Sequence, residues 1–332
     1  MFNNLVNNHD AAALGRAVFS GRIWSLVSRL GRGHDAQVAA AWQSVAGPPS
    51  NWWDLPAVRA RWNLLISGDP NLGHQAYVAA KYLGDRSGLV ALSLGCGSGG
   101  REASWAETGK FRRITGIDLS APRIEAAHRA ARAKGLEQIL DYRVGNAMHI
   151  DAAAAEYDVV LAEGSLHHLS PLHQVLENVR RALKPDGLFI VNEFVGPTRF
   201  QWTDRQLEVV NSLLQVLPAR YRRWHHGRGT RDAMFRPSRL SMIYTDPSEA
   251  IESGRILSEL GQRFDVVELK PYGGTILHLL LHGIAGNFLA DDPLAERWLR
   301  LCFEVEDCLL ASGELDSDYA FAVCRPRGDG GS

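Results

Sequence analysis

ALSLGCGSGGREA, residues 91–103, passes from an apolar strand into a glycine loop and on into a helix. Gly95, Gly97 and Gly99 have no Cβ, so the backbone there turns sharply and lets a ligand approach closely. The helix that follows directs free N–H groups and a positive dipole end at the same ligand. Gly95, Gly97 and Gly100 also satisfy the G-x-G-x-x-G spacing of dinucleotide-binding loops. By itself that spacing is shared by many proteins. It gains force from Asp118, about 20 residues past Gly97 at the end of the next strand, where a carboxylate accepts hydrogen bonds from ribose hydroxyls.

The surrounding pattern has the same meaning. LVALSL (89–94) is one short apolar strand and RITGIDL (113–119) a second. Ser120 is placed to cap the helix that follows, Pro122 suits its first turn, and Gly135 stops it. Further strands are expected at 139–144, 157–162 and 187–194, with a helix over 171–183 before the last of them. Strands alternating with helices imply parallel βαβ units in one doubly wound sheet. Strands at 264–269 and 318–324 (DYAFAVC) complete seven.

The expected fold is therefore α/β: a Rossmann-like, doubly wound, seven-stranded, mostly parallel sheet with an N-terminal helical extension and a helical lid insertion. Its expected parts are residues 1–85 as the helical extension, 86–195 as the cofactor-binding core, 196–262 as an Arg-rich lid, and 263–326 as the segment completing the sheet. The Trp-rich residues 1–88 read as helical, broken by the turn chemistry of GPPSNWWDLP (47–56). Residues 271–290 carry no charge, but their four glycines, two histidines and an Asn favour a buried helix over a membrane span.

Of the 332 residues, 36 are basic and 37 acidic, a net charge of −1. A nucleic-acid coat needs a basic surplus, so that class is disfavoured. The basic residues are 31 Arg and 5 Lys, which reads either as a GC-rich genome or as selection for bidentate anion contacts. Nine of the arginines lie in 196–240 against Asp204, Glu208 and Asp232, while 291–318 holds nine acidic residues against two Arg. The Arg-rich segment is thus either a lid that recognises an anion or a solvated face paired with acids elsewhere. Cys96, Cys302, Cys308 and Cys324 form no CxxC pair, so neither a disulfide framework nor a structural zinc site is expected, and the compartment reads as reducing. Residues 11–30 interleave Arg16, Arg22 and Arg29 with apolar residues. Three readings fit: a helix or arm packed on the domain, a membrane-surface helix, and a transit peptide.

Five segments in order resemble the motifs of the class I S-adenosylmethionine-dependent methyltransferases of small-molecule type. LSLGCGSGG (92–100) is similar to their first motif, GIDLS (116–120) to the second-strand motif, and VGNAMHI (144–150) to the third-strand motif, with Asn146 where the family often has Asp. YDVVLAEGSLHHL (157–169) and RALKPDGLFIVNEF (181–194) resemble the fourth and fifth. The resemblance implies S-adenosylmethionine as cofactor and S-adenosylhomocysteine as product. It places Gly95, Cys96, Gly97 and Gly99 at the methionine end, Asp118 and Leu119 at the ribose, and Asn146 with Ala147 at the adenine. An NAD-dependent oxidoreductase is the rival for the glycine loop, and the LKPDG and HHL segments favour the methyltransferase.

Methyl transfer is an in-line displacement at a reactive sulfonium carbon, so the protein mainly positions the acceptor. A hydroxyl acceptor also needs a base. Ligands of an open α/β sheet lie beyond the carboxyl ends of its strands, which selects His167, His168 and Glu163 as candidate catalytic groups, with His167 or His168 as the base. Glu163 is equally a candidate for the cofactor amine, and Glu193 for the substrate. Trp202, His278 and His282 are expected to line the substrate cavity, the two histidines sharing a helix face. HLLLH (278–282) lacks the glutamate of a zinc protease, and no metal is expected.

The expected reaction is O-methylation of a small molecule or saccharide in bacterial specialised-metabolite or glycan biosynthesis, in the cytoplasm. VGPTRFQWTDRQL (195–207) and KPYGGTILHLLL (270–281) resemble stretches of bacterial methyltransferases, some of them linked to such pathways. The expected partner is a small molecule, an anion or a sugar, with no nucleic acid favoured and no membrane span; assembly as a homodimer is left open. Neither the (D/N)PP(Y/F) signature of amino-methylating nucleic-acid enzymes nor a Pro-Cys pair is present. A nucleic-acid or protein methyltransferase and a non-catalytic cofactor-binding module are the alternatives.

Overall fold

The computed structural model describes residues 51–150, 154–225, 228–289 and 291–328; the segment 11–30 and most of the N-terminal extension lie outside these. Seven strands form one sheet: β1 (Leu89–Leu94), β2 (Phe111–Asp118), β3 (Leu140–Val144), β4 (Tyr157–Glu163), β5 (Leu183–Phe194), β6 (Phe264–Gly273) and β7 (Tyr319–Pro326). Their order is β3-β2-β1-β4-β5-β7-β6. β1 to β5 pair in parallel, and β7 runs antiparallel between β5 and β6. Every residue of β1 and β4 is buried, as expected of central strands covered on both faces.

Successive side chains of a strand point to opposite faces, and the core divides accordingly. On one face Ala91, Ile114, Val159, Leu161 and Ile190 pack with Trp105, Ile124 and Ala127. These last belong to α3 (Gly100–Ala106) and α4 (Ala121–Ala133), which follow α1 (Pro56–Ser67) and α2 (His74–Val78) in the chain. On the other face Leu92, Val160, Phe189 and Val191 meet Val175, Leu176 and Val179 of α5 (Leu172–Ala182). Gly135, at φ +67, ends α4. Pro122 sits in its first turn, and Ser120 holds the N-cap position with no hydrogen bond from its side chain to the backbone.

After β5 come α6 (Asp204–Val216), α7 (Arg239–Thr245) and α8 (Ile256–Arg263). Ile256 and Leu260 of α8 pack with α5 against the sheet, so the end of the 196–262 segment is part of the core's second layer. α9 (Leu277–Leu281) and α10 (Pro293–Ala311) precede β7. The single helix expected over 271–290 is not formed. β6 runs on to Gly273, α9 is five residues long, and His282 lies past its end. Uncharged sequence is equally at home in a buried strand end and a buried turn, which is what this segment contains. Residues 51–85 clasp the sheet: Tyr77, Tyr82 and Lys81 all donate to Glu268 of β6, and Arg61 reaches Glu306 and Asp307 of α10.

Candidate cofactor and acceptor site

The strand order reverses between β1 and β4, and in open α/β sheets ligands bind outside the carboxyl ends of the strands at that point. A cavity of about 480 Å3 lies there, within the range of small-molecule sites. Gly95, Asp118, Leu119, Asn146, Ala147 and His168 are on its wall.

The glycines of the loop have φ of +65 (Gly95), +56 (Gly97) and +81 (Gly99). A Cβ at Gly95 would lie 2.7 Å from the Cβ of Ser165, and one at Gly99 would lie 2.5 Å from Oη of Tyr142. Two of the three are therefore required by close approach as well as by backbone conformation. Asp118 fastens the loop: one carboxylate oxygen accepts from the Gly97 N–H at 2.9 Å and the other from the Ser120 N–H at 2.8 Å. Each oxygen keeps a lone pair for a ribose hydroxyl. Asn146 Oδ1 accepts from the Met148 N–H, which folds the loop after β3 against the cavity. Cys96 is held through its backbone N–H on Ile117. Burial, with Glu102 and Asp118 nearby, pushes its thiol up, so it stays neutral; it is not on the cavity wall.

A nucleoside-sulfonium cofactor fits this wall on one further observation. The hydroxyls of Ser120 and Ser165 are buried and have no hydrogen-bond partner among the described residues, yet both residues line the cavity. Buried polar groups are nearly always satisfied, so a polar ligand is the natural partner of both.

Beyond β4 the chain forms a compact histidine site. His167 Nδ1 donates to Oε2 of Glu193 at 2.6 Å, and the other oxygen of Glu193 accepts the N–H groups of Ser165 and Leu166. On its far side, His167 Nε2 is 3.6 Å from Glu249. Burial alone would lower the His167 pKa; Glu193 and then Glu249 outweigh it and raise the value above the ordinary 6.5. His168 lies against His167 with ring centroids 4.1 Å apart. Its Nδ1 is 3.1 Å from the Ser248 hydroxyl, which itself donates to Asp246. Burial first, then the neighbouring charges of His167 and Arg123, depress its pKa well below the ordinary value. At neutral pH His168 is thus uncharged, with Nδ1 as donor and Nε2 as acceptor.

The loop that brings Glu249 and Ser248 here is strained into place. Arg199, Phe200 and Ala250 have φ of +57, +50 and +48, each costing roughly 1–3 kcal/mol for a non-glycine residue. The backbone N–H of Arg199 donates to Ala250 O, its guanidinium to Glu249 O, and the Ile251 N–H to His167 O.

Other expected site residues are placed differently. Glu163 is buried and bound to His74 Nε2 at 2.6 Å and Trp105 Nε1 at 3.3 Å, while Arg101 donates to its carbonyl. Burial raises its pKa, but His74 and Arg101 more than offset this and hold it low; the carboxylate, bound through Oε1, is ionised and off the cavity wall. Glu193 is 1% exposed and spends its oxygens on the His167 loop, so it holds that loop and does not face substrate. Trp202 stacks on Phe200, and His278 is wedged among Trp52, Phe194, Phe200 and Tyr319. Both are packing residues away from the cavity. Burial, then His282 and His167, lower His278 to about 3. His282 is exposed at the end of α9, so the two histidines do not share a face.

Six of the nine arginines of the Arg-rich segment are held by protein groups, Arg199 on the Glu249 carbonyl and five others. Arg205 pairs with Glu208 and Glu314, Arg220 with Asp292, Arg222 with Asp232, and Arg236 with Asp204. Arg231 is buried and donates to the carbonyls of Leu280 and His282. None of the nine is on the cavity wall; Arg123 of α4 is. Sequence reasoning passed over Ser120 as a wall residue, and Arg123, Ser248 and Glu249 altogether. Of these only Ser120, which falls inside a recognisable motif, carried a signal.

Residues 92–191 match the methyltransferase-domain family. Sterol 24-C-methyltransferase of Gibberella zeae is 25% identical over 259 residues, 72% of this chain and 65% of the relative. Erythromycin 3''-O-methyltransferase of Saccharopolyspora erythraea is 27% identical over 116 residues, 35% of this chain and 38% of the relative. The chain thus spans between about a third and two-thirds of the length of these curated relatives. Among solved structures, geranyl diphosphate C-methyltransferase from Streptomyces coelicolor A3(2) superposes with a TM-score of 0.52 at 14% identity, over 90% of this chain and 99% of that one, a likeness of fold.

Fold and site together define a Rossmann-like, nucleotide-cofactor α/β domain. Residues 92–191, more particularly, match a methyltransferase domain, of the class I S-adenosylmethionine-dependent kind. The oxidoreductase alternative, which rested on the glycine loop alone, gives way to this match. Among the described residues no helix is long and apolar enough to cross a membrane.

Proposed function

We propose that this protein transfers the methyl group of S-adenosylmethionine to an oxygen of a small molecule, a saccharide hydroxyl included, held between the cofactor's sulfonium and His168. The observation that carries this reading is that His168, uncharged and oriented by Ser248, shares one cavity wall with Asp118 and Gly95.

Gly95, Gly97 and Gly99 with Ser165 receive the methionine end, Asp118 and Ser120 the ribose, and Asn146 with Ala147 the adenine. The acceptor oxygen attacks the methyl carbon in line, the carbon–sulfur bond breaks, and neutral S-adenosylhomocysteine leaves. The acceptor's proton passes to the histidine cluster, of which His168 is the member on the wall. Orientation supplies most of the rate, and the proton acceptor adds about 10²–10⁴-fold. The erythromycin relative supports a place in specialised-metabolite or glycan modification in bacteria. The four free thiols suit a reducing compartment such as the cytoplasm.

The test is methyl transfer from labelled S-adenosylmethionine to a panel of phenols, isoprenoid alcohols and glycosides. Product carrying the label is expected, at least about a hundredfold slower in His168→Ala with cofactor affinity retained. Undiminished transfer in His168→Ala removes the proposed role. Absence of transfer to any acceptor while the cofactor binds favours a non-catalytic binding module.

A further inference from the structure

Arg101 stands in the first turn of α3, and its Nη1 donates to the Glu163 carbonyl at the end of β4. A Cβ at Gly164 would lie 3.2 Å from both Nη1 and Nη2 of Arg101 and 3.6 Å from its Cζ. The guanidinium thus fills the space that a side chain at 164 would take, and Gly164, at φ +69, leaves that space open. Gly164 is on the cavity wall, together with Gly95 and Ser165, so the positive charge stands at the glycine-loop end of the cavity. The acidic neighbours are engaged elsewhere. Glu163 is bound by His74 and Trp105, and Glu102 accepts from the Ser93 hydroxyl. Among the described residues Arg101 forms no ion pair, and its one hydrogen bond goes to a carbonyl. A guanidinium has five N–H donors in a planar fork that fits a carboxylate, and Nη2 and Nε are not spent on Glu163. The arginine on the wall itself, Arg123, has the Asp118 charge for a neighbour at the ribose end.

We infer that Arg101 is a further cofactor-binding residue, whose guanidinium receives the carboxylate at the methionine end of S-adenosylmethionine. The inference rests on the reading of this cavity as the cofactor's site. An α-carboxylate is ionised at neutral pH, and a charge brought against a partly buried wall needs a partner. Asp118, Glu163 and Glu193 have the wrong sign for it, and Arg101 has the right one. The pairing also bears on transfer. With the carboxylate held at Arg101 and the ribose at Asp118, the sulfonium is tethered from both sides, which is the positioning an in-line displacement requires. Arg101 therefore acts on cofactor affinity and on the choice between sulfonium nucleosides that carry the carboxylate and those that lack it.

The experiment titrates the full chain by calorimetry with S-adenosylmethionine and with decarboxylated S-adenosylmethionine, which keeps the adenosine, the sulfonium and the amine and lacks the carboxylate. Wild type is expected to bind S-adenosylmethionine at least about tenfold more tightly than the decarboxylated form. In Arg101→Met that preference is expected to fall to within about twofold, with the decarboxylated form bound no more weakly than by wild type. Arg101→Lys, which keeps the charge and loses the fork, is expected to fall between the two. A change that merely loosened the loop would weaken both ligands alike and leave the preference as it was, so the ratio separates recognition from structure. Near-ultraviolet dichroism of each variant checks that it is folded. Equal affinity of wild type for the two ligands, or a preference unchanged in Arg101→Met or in Arg101→Lys, overturns the inference and leaves the cofactor reading standing. Binding of neither ligand to wild type overturns the cofactor reading itself.

Discussion

Glu193 holds three groups of one loop at once: the Nδ1–H of His167 at 2.6 Å and the N–H groups of Ser165 and Leu166. It sits at the end of β5 and the loop at the end of β4, so the pair joins two neighbouring strands at the mouth of the cavity. Removing Glu193 strands two backbone donors and a buried imidazole. Glu193→Ala is expected to cost about 3–5 kcal/mol, read as a fall in the urea midpoint at unchanged slope.

The same pair sets a pH dependence. His167 has a raised pKa in the folded chain, so the folded state binds that proton more tightly than the unfolded state does. The resulting stability is complete below about pH 6.5, the unfolded value, and is lost as pH rises through the folded value. The advantage of wild type over Glu193→Gln in thermal midpoint is expected to shrink as pH rises above about 6.5 and through the folded value. An advantage that grows over that range contradicts the pairing.

The loop glycines are not equivalent. Gly97→Ala meets Arg123 Nη1 at 3.5 Å and nothing closer, leaving only the left-handed backbone cost of about 1–2 kcal/mol. Gly99→Ala meets Tyr142 Oη at 2.5 Å and Ala127 Cβ at 2.9 Å as well, adding roughly 1–3 kcal/mol of overpacking. Denaturation should rank Gly99→Ala below Gly97→Ala; equal stabilities would show that the Tyr142 contact relaxes freely.

Ser120 and Ser165 separate folding from binding. Each has a buried hydroxyl with no partner among the described residues, and deleting such a group is close to neutral for stability. Ser120→Ala and Ser165→Ala are expected to melt within about 0.5 kcal/mol of wild type yet bind S-adenosylhomocysteine several-fold more weakly. Unchanged affinity in both would show that these hydroxyls do not meet the ligand.

The sequence disclosed those parts of the site that are local. A strand, a tight turn and a helix start are written in consecutive residues, so Gly95 to Gly99, Asp118 and Asn146 could be read along with the five parallel strands. What arrives through the fold could not. Glu249 and Ser248 sit in TDPSEA (245–250), a polar loop with no spacing that marks it, and they meet His167 and His168 only because two strained turns dock together. Residues 271–290 misled because burial removes charge from strand ends, turns and helices alike. The arginine surplus left two readings open, an anion lid and pairing with the acids of 291–318, and Glu314 and Asp292 of that segment do pair with Arg205 and Arg220.

The central claim is that the cavity beside Asp118 receives S-adenosylmethionine. The most direct measurement is calorimetric titration of wild type and Asp118→Ala with S-adenosylhomocysteine and with NAD. The account predicts one site for S-adenosylhomocysteine on wild type, at least about tenfold weaker in Asp118→Ala, a loss of about 1.4 kcal/mol, and no heat from NAD. Equal affinity in wild type and Asp118→Ala, or binding of NAD in preference, would contradict it.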